Sequence, residues 1–231
     1  LIGLEYEMEP GWKTYWKSPG DGGFAQSISW ENSTNVQNVN IQWPTPIEFE
    51  ILGLTSLGYQ NDVIFPLEIE LEDELKNTFL NLHVNFLICK EVCIPGDATL
   101  FLEIPTGKKK LTDNYFKLEK ALSLLPEEDF NSSYIEEVNL KTFSDDQSSI
   151  LQLQFKSNKV FYNPKIFLHS PFGLPVVKNS INYSSNNKKI TTDFHFDRKL
   201  ISENKFPLEV IIKDKNHNFL QVLNVQMDDQ P

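Results

Sequence analysis

Cysteine is almost missing from this chain: 231 residues hold two, Cys89 and Cys93, so there is one possible pair and no second pair to help it. Histidine is nearly as sparse, with four. His83, His169, His195 and His217 are scattered without ligand spacing, and a structural zinc site needs four ligands, which leaves zinc the weakest reading of the two sulfurs. No apolar run approaches the roughly 18 residues of a membrane helix. Phosphate loops, nucleophile elbows and metal-binding clusters are missing too. Cations are scarce in one half only. Residues 1–105 carry 4 Lys/Arg against 16 Asp/Glu, a net of −12, while residues 106–231 carry 17 against 16, a net of +1. An acidic field of that kind opposes nucleic acid and anionic lipid and favours basic partners, although a merely well-solvated acidic surface is a better account of it than dedicated steering.

What is present supports a folded chain. The 40% hydrophobic and 12% aromatic content excludes general disorder, and the length suffices for one large or two ordinary domains with real cores. The chain opens on Leu1 with no signal peptide, and 1–7 already reads as a strand, which predicts a mature or excised piece of something longer.

The stretch around the cysteines is the most informative. Leu82, Val84, Phe86 and Ile88 alternate with the other residues at the period of a half-buried strand, which predicts Cys89 on the face of His83 and Asn85, away from the core. A second alternating run, Ala98, Leu100, Leu102 and Ile104, follows, so the cysteines sit near the join of two strands. Fully extended, an i to i+4 pair would lie roughly 13 Å apart at about 3.3 Å per residue, whereas a disulfide needs Cα atoms within about 7 Å. A bridge therefore requires a tight reversal, for which Pro95-Gly96 is suitable punctuation. Buried unpaired thiols, a permanent structural disulfide and a redox pair all remain open from the residues alone. The short loop makes the permanent bridge a poor staple, and Glu91 and Asp97 oppose thiolate formation.

Pattern and punctuation divide the chain near residue 106. Runs at 38–42, 63–71, 78–88 and 99–104, separated by Pro and Gly clusters, predict an antiparallel sandwich. A basic connector at 106–110 leads to a helix from Tyr115 to Leu125, with Phe116, Ala121 and Leu125 near one face and Pro126 as its stop; it reads as a brace between domains. Strand patterns at 150–155, 165–168, 190–196, 208–212 and 219–225 predict a second sandwich. The expected organisation is all-β: two immunoglobulin-like sandwiches, residues 1–105 and 131–231, joined by a helix-containing linker over 106–130.

Several motifs then coincide in order. They are Pro10-Gly11-Trp12-Lys13-Thr14-Tyr15-Trp16, Pro19-Gly20-Asp21-Gly22-Gly23, Trp43-Pro44-Thr45-Pro46, Gly58-Tyr59 with Phe65-Pro66-Leu67, and Ile88-Cys89 through Cys93-Ile94-Pro95. Over about the first 105 residues this resembles the N-terminal periplasmic region of the DsbD family of thiol:disulfide interchange proteins, ScsB-like branch.

The resemblance implies an immunoglobulin-like domain whose Cys89–Cys93 pair cycles between dithiol and disulfide as a protein-disulfide reductase, with Cys93 attacking and Cys89 resolving, and with no dissociable cofactor. It implies a membrane-embedded DsbD-like domain as electron donor and periplasmic thioredoxin-like or disulfide isomerase proteins as acceptors. The chain would be the periplasmic portion of an inner-membrane protein, without nucleic-acid partners and without inserting into the membrane itself. It also implies a cap loop within 48–57, with Phe49, Glu50, Ile51 and Leu52 as candidates and Gly53 as hinge. The cysteine spacing is shorter than in the best-known members, and the lid could be Phe49, Ile51 or Leu52, so that either an aromatic tip like theirs or an aliphatic one with Phe49 in the core is open. Trp12 and Tyr15 are candidate neighbours of the sulfurs or plain packing residues, and Asp21 and Glu50 are candidate polar neighbours. The rival from another class is a non-catalytic binding or adhesion module with an inert disulfide.

Overall fold

The computed structural model describes residues 1–108, 110–128, 134–144, 148–172, 181–197, 203–215 and 217–227. Two compact units divide at Leu125 and Pro126. Each is an all-β sandwich, and the short helix belongs to the first unit.

In the first unit, a three-stranded sheet orders β1 (Ile2–Tyr6), β7 (Val63–Glu70) and β4 (Asn38–Ile41). The facing sheet runs β3 (Ser27–Ser29), β8 (Thr78–Cys89), β2 (Lys13–Gly20), β6 (Leu54–Gln60) and β5 (Ile47–Ile51), with β9 (Cys93–Ile104) on the other edge of β8. The runs expected at 38–42, 63–71 and 78–88 are strands, and β9 starts six residues earlier than its alternation suggested, at Cys93 itself.

The core of this unit is organised by Phe65, fully buried, which meets the rings of Tyr6, Trp43 and Tyr59 edge-on at centroid distances of 5.5, 5.3 and 5.1 Å. Such edge-to-face pairs add to the free energy of burying apolar area. Trp16, Leu57, Leu67, Leu80, Leu82 and Val84 are buried with it in the unit.

The helix α1 (Tyr115–Leu122) docks on this unit through Leu118 and the buried Ala121, and Lys117 pairs with Glu5 at 2.9 Å. One expectation is corrected here. Phe116 points outward, 82% exposed, because the docked face follows 115, 118, 122 and 125 at helical spacing. The helix is part of the first unit, to which Thr45 also ties its end through a hydrogen bond to the Leu124 carbonyl.

The second unit pairs β10 (Ile135–Ser144), β11 (Ser148–Ser157), β14 (Lys189–Asp197) and β13 (Asn182–Ser184) in one sheet, and β12 (Lys165–His169), β15 (Lys205–Asp214) and β16 (His217–Gln226) in the other. Leu151, Leu153, Ile190 and Leu208 lie at the centre of its core. Buried Asp214 accepts hydrogen bonds from the Tyr134 hydroxyl and from the Tyr162 and Asn163 amides, which leaves that carboxylate satisfied. Residues 129–133, at the expected junction, lie outside the described residues.

Phe65→Ala opens a cavity at the meeting point of three rings and lowers the unfolding free energy by about 3–5 kcal/mol. A urea midpoint shifted by the equivalent of less than about 1 kcal/mol would show that the ring is not central.

Candidate functional site

The cysteines are placed by one hairpin. Strands β8 and β9 pair without interruption from Thr78 opposite Ile104 to Cys89 opposite Cys93, and a turn of Lys90, Glu91 and Val92 closes the end. The Cα atoms of Cys89 and Cys93 are 4.1 Å apart and their sulfurs are joined. The tight reversal that a bridge requires is thus the hairpin turn itself, and Pro95-Gly96 lies within β9, where Gly96 passes under the Phe86 ring.

The expectation that Cys89 faces away from the core is corrected. Its parity is as expected, since the register keeps it on the face of His83 and Asn85, yet Cys89 is 0% exposed. At this end of β8 that face is covered by a second, small cluster of Tyr15, Phe49, Ile51 and Leu87 around Cys89. Cys93, across the turn, is exposed.

The cover comes from the β5–β6 hairpin. Ile47-Glu-Phe-Glu-Ile51 alternates, so Phe49 and Ile51 face inward while Glu48 and Glu50 are exposed. Ile51 pairs with Leu54 across a two-residue turn, Leu52-Gly53, with φ of 50° and 79°. Positive φ at both central residues is the type I′ geometry that matches strand twist. Leucine rarely adopts it, and Leu52 stands 74% exposed at the tip.

Tyr15 completes the site from β2. Its hydroxyl lies 3.0 Å from Cys89 Sγ and 3.8 Å from Cys93 Sγ. A disulfide sulfur carries no proton, so the hydroxyl is the donor. The ring is 5.9 Å from Phe49, centroid to centroid. Gly23, at φ 89°, backs it so closely that a Cβ there would stand 2.2 Å from Tyr15 Cε1. Burial pushes the Tyr15 phenol above its ordinary value of 10.0, and the Tyr59 phenol moves the same way for the same reason.

Of the residues expected at the site, Cys89, Cys93, Tyr15, Phe49 and Ile51 are brought together, and Leu52 forms the tip above them. Glu50 projects from the opposite face of β5. Trp12 is half-buried, is not in the cluster, and uses its backbone to bond Glu9 and Asn61. Asp21 is exposed and donates its amide to the Thr55 carbonyl. Sequence reasoning missed Leu87, Gly23 and Lys13. The last is directly opposite Cys89 on β2 and two residues from Tyr15, a parity visible in Lys13-Thr14-Tyr15 once that segment is known to be a strand.

The family described as Thiol:disulfide interchange protein DsbD, N-terminal, matches residues 1–105. The crystal structure of the N-terminal periplasmic domain of ScsB from Proteus mirabilis has the same fold, with a TM-score of 0.76 at 23% identity over 98% of this chain and 87% of that one. No curated protein matches the chain significantly. Residues 1–105 are thus similar in sequence to the N-terminal domain of that family and in fold to that of ScsB, and the Cys89–Cys93 disulfide lies within them.

The raised Tyr15 phenol has a consequence in alkali. The folded chain holds that proton more tightly than the unfolded one, so its contribution to stability is complete below the unfolded value of about 10 and is lost as pH rises through the folded value. Tyr15→Phe removes that part of the loss. Urea unfolding followed from about pH 9 to 11 is expected to fall less steeply for the variant than for the parent, and identical slopes would refute the assignment.

Proposed function

We propose that the domain of residues 1–105 is a protein-disulfide reductase that works in the periplasm by direct exchange through Cys89 and Cys93, as part of an inner-membrane protein. The observation that carries this reading is the unequal exposure of the two sulfurs. An incoming thiolate can reach Cys93 and cannot reach Cys89.

Loading begins when a donor thiolate attacks Cys93 Sγ. A bond forms between the donor sulfur and Cys93, the Cys89–Cys93 bond breaks, and its electron pair leaves on Cys89. The donor's second thiolate then attacks the donor sulfur of the mixed disulfide and releases Cys93, so that two electrons have passed and the donor is left oxidised. Delivery runs in reverse. Cys93 thiolate attacks the acceptor disulfide and expels one acceptor thiolate. Cys89 thiolate then attacks Cys93 Sγ, re-forming the bridge and releasing the second. No dissociable cofactor is required.

The surroundings fit these steps. The buried hydroxyl of Tyr15 keeps its proton at neutral pH, so it can donate to Cys89 when that sulfur carries charge. Phe49 and Ile51 shield the buried sulfur from small oxidants, and Leu52 at the hairpin tip is the point at which a docking partner would meet the cap. The donor is a membrane-embedded DsbD-like domain and the acceptors are periplasmic thioredoxin-like or disulfide isomerase proteins. An inert staple, the rival reading, is disfavoured because a loop of three intervening residues constrains the unfolded chain little.

Reduced Cys89→Ser is expected to accumulate a mixed disulfide with an oxidised thioredoxin-like protein whose disulfide is intact, because Cys93 attacks that disulfide, expels one partner thiolate and has no Cys89 left to resolve the product, while Cys93→Ser accumulates little. Equal trapping by both variants, or by neither, would sink the assignment of Cys93 as the attacking sulfur.

Phe49→Ala opens the cover over Cys89. Reaction of the reduced domain with hydrogen peroxide should accelerate about tenfold, the equivalent of about 1.4 kcal/mol of lost shielding. An unchanged rate would remove the cap function from Phe49.

A further inference from the structure

Residues 1–105 hold only four cationic side chains, Lys13, Lys17, Lys76 and Lys90, among sixteen carboxylates. Two of the four converge on the disulfide. Register runs from Gln60 to Lys13, Cys89 and Cys93 across four adjacent strands, and directly opposed residues of antiparallel strands project from one face with Cβ atoms about 5 Å apart. Lys13 therefore emerges beside Cys89. Its Nζ donates to the Gly11 carbonyl at 3.1 Å and stands 5.7 Å from the centroid of Phe49, the ring packed on Cys89. Lys90 follows Cys89 in the turn and folds back to Gly11, where its Cε and Nζ would lie 3.2 and 3.7 Å from a Cβ at that position.

A charge on Cys89 is otherwise disfavoured there. The sulfur is wholly buried in an apolar cluster within a domain of net −12, and both conditions oppose a thiolate. Opening the disulfide nonetheless places an electron pair on that atom. The groups around it are Lys13 and Tyr15 from β2, Cys93 and, further along, Asp97 from β9, Lys90 and Glu91 from the turn, uncharged Gln60 from β6, and apolar Phe49 and Ile51 from β5, whose Glu48 and Glu50 project from its other face. Lys13 is the cation placed on the sulfur's own face by register.

We propose that Lys13, assisted by Lys90, is the positioning charge that stabilises the developing thiolate of Cys89 as the disulfide opens. The inference rests on the interchange reading and assigns it an electrostatic partner. Leaving-group thiols of lower pKa depart faster, so the lysine acts on the opening step and, in reverse, keeps the resolving sulfur ionised.

In the Cys93→Ser chain Cys89 titrates alone, followed by its ultraviolet thiolate absorbance. Adding Lys13→Met should raise its pKa by about one unit, and Lys13→Arg should restore it. With both cysteines present, Lys13→Met should slow opening by dithiothreitol about threefold at fixed pH, with Lys13→Arg close to the parent. Loosening the cap alone has the opposite sign, because water reaching Cys89 in Phe49→Leu lowers the pKa. A fall on Lys13→Met would show the lysine acting only through the ring, and an unchanged titration would show no action at all; either overturns the proposal whatever the opening rate does. If the parent disulfide resists dithiothreitol altogether, the interchange reading fails, while the titration still decides the effect of Lys13.

Discussion

The uninterrupted register of β8 against β9 is the constraint from which the rest of the site follows. Direct opposition of Cys89 and Cys93 places both sulfurs on one face at the closed end of a hairpin. A slip of one residue would send one of them to the other face. That register is held far from the cysteines by Leu80, Leu82 and Val84, which are buried in the main core, and locally by Gly96, whose missing side chain lets Phe86 lie across the pair. The main core thus positions the sulfurs without surrounding them, and a separate cluster, Tyr15, Phe49, Ile51 and Leu87, surrounds that of Cys89 alone.

That division produces two unlike sulfurs from two like residues. The β5–β6 hairpin reaches over β2 and β8 far enough to cover Cys89 and stops short of Cys93. Tyr15 stands between them, nearer the buried atom. Its position depends on Gly23, for any larger residue there would occupy the space of the ring. Gly23 therefore serves a sulfur nearly seventy residues later in the chain.

Much of the architecture was legible because alternation is a local signal. Strands at 38–41, 63–70 and 78–89 and most of those in the second unit announce themselves by period two. Strand β2 did not, because Trp12-Lys13-Thr14-Tyr15-Trp16 mixes aromatic, charged and polar residues on both faces. The burial of Cys89 was illegible for a different reason. Period identifies which residues share a face, while what covers that face is a long-range fact, here supplied by Phe49 and Ile51 some forty residues away. The cap itself could be located only through resemblance, and its form as a regular hairpin turning on Leu52-Gly53 carried no strong turn signal, since leucine is an unusual occupant of that backbone conformation. The outward face of α1 was misread because Phe116 is its most apolar aromatic and a helix of eight residues gives periodicity little length to average over.

The three-residue turn between the cysteines also separates chemistry from durability. Cutting a crosslink that encloses so few residues returns little freedom to the unfolded chain, and the remaining β8–β9 pairs, the cap cluster and the aromatic core are all made elsewhere. The bridge therefore adds less to folding than one enclosing a long loop would. The pairing of β8 with β9 holds the two sulfurs side by side through eleven further residue pairs that do not include their bond.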